Sequence, residues 1–333
     1  PFSYREKVRI FMVWCDEKQS IYMWRGAYPE AFMSIWTRGD FSKKVMTDNY
    51  RSCQQIQNYS NLLCDETRPL YKEVNDLSSV VMLCTTTANW VSAVVPYLDK
   101  NKRCALLRYS NANSEIGAKE LTEKGVEFTY VPQTPISDIT TEAAWLYNAI
   151  AKHFILPTYS AYDLRDENPN EVVGNKHILQ TIKISLKHLD EYLKQADKDS
   201  FAKEVEQLAN SLGYSTKDEH CKKVYETICD KKFHPAFNID GLQRIAITFH
   251  SSKGLEFDQV ILFVSDYTLE TEQDICNHYV AATRAKSKLI LVHISDDGRA
   301  AIYVKNIKKI LAESNLTMRK IATVVDGING SKQ

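Results

Sequence analysis

Four short segments of this chain carry residue types suited to phosphate and nucleic acid chemistry. The first, Asp16 to Ala27, reads DEKQSIYMWRGA and follows an apolar strand-like run. Gln19 offers an amide to a phosphate or a water, and Trp24 beside Arg25 offers a flat ring and a planar cation, a pairing that stacks bases and neutralises their backbone. Trp24 taken alone reads more readily as a core aromatic, a reading that weakens beside the other segments. The second segment, Asn49-Tyr50-Arg51-Ser52, precedes a helical pattern. There Ser52 is expected to cap the helix, Arg51 to lie near an N-terminus that favours anions, and Tyr50 to stack on a purine. The third, Thr248 to Val260, reads TFHSSKGLEFDQV, with a glycine for a tight turn and His250, Lys253 and hydroxyl groups able to meet phosphate oxygens. The fourth, Asn277 to Leu289, reads NHYVAATRAKSKL and places Arg284 where a helix feeds what reads as the last strand. A guanidinium fork held there could reach a γ-phosphate across a cleft, as an arginine finger does.

A possible metal cluster, His220, Cys221, Cys229 and His234, is weaker. Zinc sites usually contain a close cysteine pair, whereas seven residues separate these two cysteines within a helical pattern. No metal site is expected there. The lone His153, His177 and His188 read as ordinary surface or core residues.

The elements that must position the four segments follow an α/β grammar. Val8 to Trp14, Ser79 to Cys84 and Arg103 to Tyr109 are apolar runs of the kind buried on both faces of a parallel sheet. Helical spacing occupies Ser52 to Leu63 and Asn89 to Leu98, and a further helix stops at Gly125 before a strand over Val126 to Val131. From the breaker PQTP at Pro132 the pattern turns helical: Ile182, Leu186, Leu189 and Leu193, then Phe201, Val205, Leu208 and Leu212, repeat at i, i+4, i+7. Strand-like runs return at Arg244. The simplest topology is therefore a parallel α/β sheet with a helical block inserted between two of its parts.

Length and composition limit the alternatives. A chain of 333 residues has room for two or three domains, and 44% hydrophobic with 25% charged residues sets aside disordered and collagen-like classes. The 42 basic residues balance 42 acidic ones, so any nucleic-acid contact must be local rather than a property of a basic protein. No apolar run approaches the ~20 residues of a membrane span. Eight dispersed cysteines without a CxxC pair suit thiols in a reducing cytoplasm.

In order and spacing the four segments resemble the third to sixth motifs of superfamily 1 DNA helicases of the UvrD, Rep and PcrA type. QSIYMWRGAYPEAF, RSCQQIQNYSNLL, VPQTP, YDL with VVGN, and SDY after the fifth motif resemble more narrowly the helicase subunits of Gabija anti-phage defence systems. The resemblance implies an ATP-dependent motor. It implies that Gln19 senses the γ-phosphate, that Tyr50 stacks on adenine, that Arg51 and Arg284 contact terminal phosphates, and that Gly254 and Glu256 complete the nucleotide site, Glu256 at the ribose. Tyr22, Trp24, Arg25, Thr248, His250 and Ser251 would contact DNA, single-stranded or partly duplex. A companion nuclease, an OLD-family ATPase with a TOPRIM nuclease domain, is implied in one large hetero-oligomer.

Two departures matter. Cys15 stands where the family has glycine, and no GxxxxGK[ST] loop or Mg²⁺-binding acidic pair occurs in the chain. Residues 1–45 are therefore expected to be the end of a first RecA-like domain, 46–131 and 241–333 a second, and 132–240 a helical insertion. The fold expected is a RecA-like, P-loop NTPase-type parallel sheet carrying that insertion. ATP is the expected nucleotide, with Mg²⁺ ligands upstream, and this stretch alone is expected to be inactive. The alternative is a non-catalytic RecA-like scaffold that recruits or regulates a nuclease.

Overall fold

The computed structural model describes residues 19, 34–40, 42–44, 48–65, 67–169, 176–326 and 331–332. The expected strand Val8 to Trp14 and the side chains of Tyr22, Trp24 and Arg25 lie outside them. The chain forms two compact units. One takes its described residues from Pro1–Ser114, Glu120–Val126 and Thr248–Gln333, and the other from Glu115–Lys119 and Glu127–Ile247.

In the first unit α1 (Gln54–Leu62) leads to β1 (Val80–Thr85), α2 (Trp90–Val94), β2 (Cys104–Arg108) and α3 (Asn111–Glu123), of which Glu115–Lys119 count with the second unit. The second unit holds β3 (Thr129–Tyr130), α4 (Ala144–Ile155), α5 (Ala161–Asp166), α6 (Lys176–Gln195), α7 (Lys198–Ser211), α8 (Asp218–Cys229) and most of β4 (Arg244–Thr248). The chain then returns to the first unit with β5 (Phe257–Phe263), α9 (Glu272–Ala282), β6 (Ala285–Ile294), α10 (Gly298–Glu313), α11 (Met318–Ile321), β7 (Thr323–Asp326) and β8 (Ser331–Lys332).

The strands of the first unit lie in the order β2-β5-β6-β1-β7-β8. Its ladders are parallel, with Val80 beside Leu289 and Leu106 beside Ile261, except for the short antiparallel pair β7·β8. In the second unit β3 and β4 are also parallel, so each of β1 to β7 has a parallel partner. Parallel strands covered on both faces need side chains that tolerate burial everywhere, and Val80, Val81, Leu83, Leu106, Ile261 and Leu291 supply them. This is the α/β sheet the apolar runs predict.

Helix α1 shows how a sequence pattern becomes packing. Ile56, Tyr59 and Leu62 share one face and are at most 1% exposed, each burial contributing about 1.5–3 kcal/mol as an upper bound. Gln55 is buried with them because its amide is fully used. Its Oε1 accepts from the amides of Ser79 and Val80 at 2.8 and 2.9 Å, and its Nε2 donates to the carbonyls of Leu77 and Ile321 at 3.1 and 2.9 Å. The helix is thereby tied to the start of β1 and to the end of α11.

A second buried polar group joins three helices. The Tyr59 hydroxyl lies 2.6 Å from Nε2 of His278 on α9 and 2.6 Å from the Tyr303 hydroxyl on α10. Burial pushes the His278 pKa down to about 3 and raises those of Tyr59 and Tyr303. The imidazole is neutral.

Local details depart from the pattern reading. The helix expected over Asn89 to Leu98 ends at Val94 and continues as a 3₁₀ turn, Val95–Tyr97, because Pro96 lacks an amide donor. The strand expected over Val126 to Val131 pairs only at Thr129–Tyr130. β6 is not the last strand, since β7 follows it and lies on the far side of β1. The expected stop at Gly125 is present, with φ +81°. In the helical unit Ile182, Leu186, Leu189, Phe201, Val205 and Leu208 form the predicted core, and the Asp197 side chain caps α7 by accepting from the amide of Ser200 at 3.0 Å.

Candidate nucleotide site

The segment Asn49 to Ser52 is an Asx turn. Asn49 Oδ1 accepts from the amides of Arg51 and Ser52 at 2.9 and 3.2 Å, and Gln57 Nε2 donates back to the carbonyls of Asn49 and Ser52. Ser52 does not cap α1 as the pattern suggests: Cys53 occupies that position without a side-chain bond. The Ser52 hydroxyl instead donates to the carbonyl of Ala285 at 2.7 Å, and the Cys53 amide to that of Lys286 at 2.9 Å. The turn is thus fastened to the start of β6. From it the ring of Tyr50 projects 93% exposed.

Arg51 emerges beside the segment between β4 and β5. Its Nε lies 2.6 Å from Oε1 of Glu256, and Lys286 Nζ lies 3.5 Å from the other oxygen, Oε2. Glu256 itself is placed by the backbone that follows it, since the Phe257 amide donates to the Arg284 carbonyl at 2.9 Å. Gly254, two residues earlier, has φ +88°, a conformation that glycine adopts without strain.

Arg284 lies just beyond the end of α9, where that helix feeds β6, and is 2% exposed. Its Nε donates to the Val280 carbonyl at 3.0 Å, Nη1 to the Leu255 carbonyl at 3.3 Å and Nη2 to the Thr283 hydroxyl at 3.2 Å. The fork is therefore engaged by its own neighbourhood. Gln19 is joined to the same region through its carbonyl, which accepts from Lys253 Nζ at 2.8 Å.

The other expected residues of the third segment, Thr248 to Val260, gather elsewhere. Thr248 Oγ1 lies 3.0 Å from the Ser251 hydroxyl and accepts from the Ser251 amide at 3.3 Å, closing the turn after β4. His250 stacks against Phe249 with ring centroids 3.8 Å apart, and Tyr109 packs against both rings at 5.4 and 6.0 Å. Tyr109 and His250 follow the C-terminal ends of β2 and β4, while Glu256 and Arg284 precede the N-terminal ends of β5 and β6. Because β2, β5 and β6 are parallel, the ion cluster and the aromatic cluster lie at opposite ends of the strands.

Sequence reading missed two participants. Tyr109 is 48% exposed, and its place directly after an apolar run was the available signal. Lys286 follows the TRA tripeptide and gave none.

Arg51, Lys286 and Glu256 beside the exposed ring of Tyr50, at the N-terminal ends of β5 and β6, are residue types that can bind a phosphorylated, base-bearing ligand. Among the described residues no group of histidine, cysteine and acidic side chains converges as a metal site.

Residues 245–292, which span the third and fourth of these segments, match the UvrD-like helicase C-terminal domain. The chain is 36% identical over 320 residues, 93% of its length, to the Gabija protein GajB of Bacillus cereus (strain VD045) and spans 62% of that protein. A solved structure, the C-terminal domain of a possible DNA helicase from Lactobacillus plantarun WCFS1, covers 77% of this chain and 94% of its own at 15% identity, with a TM-score of 0.35. The chain is accordingly similar to the Gabija protein GajB over most of its own length and, over residues 245–292, to the UvrD-like helicase C-terminal domain.

Proposed function

We propose that this chain is the C-terminal motor part of an ATP-dependent DNA helicase or translocase acting in cytoplasmic anti-phage defence with a partner nuclease. The observation that carries the reading is the ion pair of Arg51 with Glu256, two residues from separate segments that are each fastened to the backbone between Arg284 and Lys286. Arg51 and Arg284 would bind the terminal phosphates, Glu256 the ribose and Tyr50 the adenine, with Gln19 sensing the γ-phosphate and Gly254 shaping the loop.

Thr248, His250 and Ser251, with Tyr22, Trp24 and Arg25, would grip the DNA strand. Closing and opening of a nucleotide cleft would then make aromatic rings release and regrip bases. The 333 residues contain no GxxxxGK[ST] loop, so a polypeptide of these residues alone is expected to hydrolyse no ATP. No helix among the described residues is long and apolar enough to cross a membrane.

The test is ATP turnover by the full-length protein with and without single-stranded DNA, alone and with its co-expressed nuclease, beside an Arg51→Ala variant. DNA-stimulated turnover that Arg51→Ala abolishes supports the motor. Absence of turnover in every wild-type preparation leaves a scaffold for the nuclease.

A further inference from the structure

Glu256 is held between two cations that differ in distance and in kind. Arg51 meets Oε1 at 2.6 Å, the length of a charge-assisted hydrogen bond, whereas Lys286 stands 3.5 Å from Oε2. The carboxylate is 34% exposed and the two cations 40% and 43%, so ligand can reach all three. Their backbones are fixed relative to one another. Cys53, two residues after Arg51, donates its amide to the carbonyl of Lys286 itself, and Phe257, next to Glu256, pairs in register with Ala285, next to Lys286.

A phosphate group competes for Arg51, because a guanidinium pairs with two phosphate oxygens in a geometry that one carboxylate oxygen cannot match. With the backbone anchored, Arg51 turns by its side chain alone, and Glu256 loses its nearer partner. An isolated carboxylate would then be free to swing or to repel the phosphates. Lys286 is already aimed at the second oxygen, and its long flexible stem lets the ammonium close the remaining gap.

We infer that Lys286 is a positioning residue of the nucleotide site: it takes over Glu256 when phosphate draws Arg51 away, holding the carboxylate in line for the ribose hydroxyls. This rests on the nucleotide reading given above. Lys286 touches neither the phosphates nor the base and acts through Glu256.

The test compares ATP with 2′,3′-dideoxy-ATP, which lacks both ribose hydroxyls, as substrates of the full-length protein and of Lys286→Met, Lys286→Arg and Glu256→Gln. Lys286→Met is expected to raise KM for ATP about fivefold, the scale of one weakened hydrogen bond, with kcat within about twofold. KM for the dideoxy nucleotide should move less than about twofold, and Lys286→Arg should restore the preference for ATP. A Lys286→Met variant that shifts both nucleotides equally, or neither, overturns the inference while Glu256→Gln still separates them. If Glu256→Gln also fails to separate them, the ribose role of Glu256 falls and the inference falls with it.

Discussion

The guanidinium of Arg284 donates through Nε to the carbonyl of Val280, 3.0 Å away and one helical turn earlier. The last carbonyls of a helix lack intrahelical partners, and this side chain fills one of those vacancies on α9 while also bonding Leu255 and Thr283. The residue expected to reach for phosphate therefore also secures the end of its own helix.

Arg284→Ala should act on both roles. In the full-length protein, turnover is expected to fall by a factor on the order of 10³ or more with DNA binding retained. Stability should drop by about 1 kcal/mol, because the Leu255 carbonyl loses a donor while that of Val280 keeps the Thr283 hydroxyl at 3.0 Å. Steady-state turnover measured beside urea denaturation separates the two: a destabilised variant with intact turnover would confine Arg284 to the fold.

Gly254→Ala tests the loop before β5. A Cβ there meets nothing within 4 Å, so the penalty comes from φ +88° alone and should be roughly 1–2 kcal/mol. Gly254→Asn should lose less, since asparagine tolerates the left-handed region. Thermal melts decide it, and equal losses would point to crowding instead.

Gln55→Leu should cost about 3 kcal/mol although leucine fits the buried face. Four main-chain groups lose their partner at once. Equilibrium denaturation with an unchanged m-value is the check. A loss below about 1 kcal/mol would mean that water replaces the amide.

His278 gives a pH dependence with a definite sign. Its folded pKa near 3 lies below the unfolded value of about 6.5, so the unfolded chain takes up the proton first. The stability from keeping this imidazole neutral is complete above about pH 6.5 and is lost as pH falls toward 3. Between pH 6 and 4 the wild type should lose roughly 1.4 kcal/mol per pH unit more than His278→Leu. Parallel curves for the two proteins would show that the buried ring is not the titrating group.

What the sequence made legible follows from range. Apolar runs such as Val80 to Leu83 announce buried strands because burial on both faces leaves no polar positions, and Ile182, Leu186 and Leu189 announce their helix by period. Nothing local shows that the polar atoms of Gln55 and Arg284 find carbonyls far along the chain, Ile321 for the one and Leu255 for the other. Ser52 reads as a cap for the same reason, though its hydroxyl serves Ala285, 233 positions away. The four-residue β7 is too short to rise above its surroundings. For the candidate site, sequence supplied Arg51, Glu256 and Arg284, but the Arg51 to Glu256 pairing and the part of Lys286 required the tertiary fold.

The place of β1 also has a consequence for synthesis. Its two neighbours, β6 and β7, are drawn from the last fifty or so residues, and Gln55 closes onto a carbonyl 266 positions downstream. While the ribosome is still translating those residues, β1 has no native partner on either edge and the Asx turn carrying Arg51 has nothing to fasten to. The helical unit, drawn mainly from the uninterrupted stretch Glu127–Ile247, can condense first. The first unit must wait for β6 and β7, a late, long-range closure that leaves the apolar strand β1 unprotected in the nascent chain.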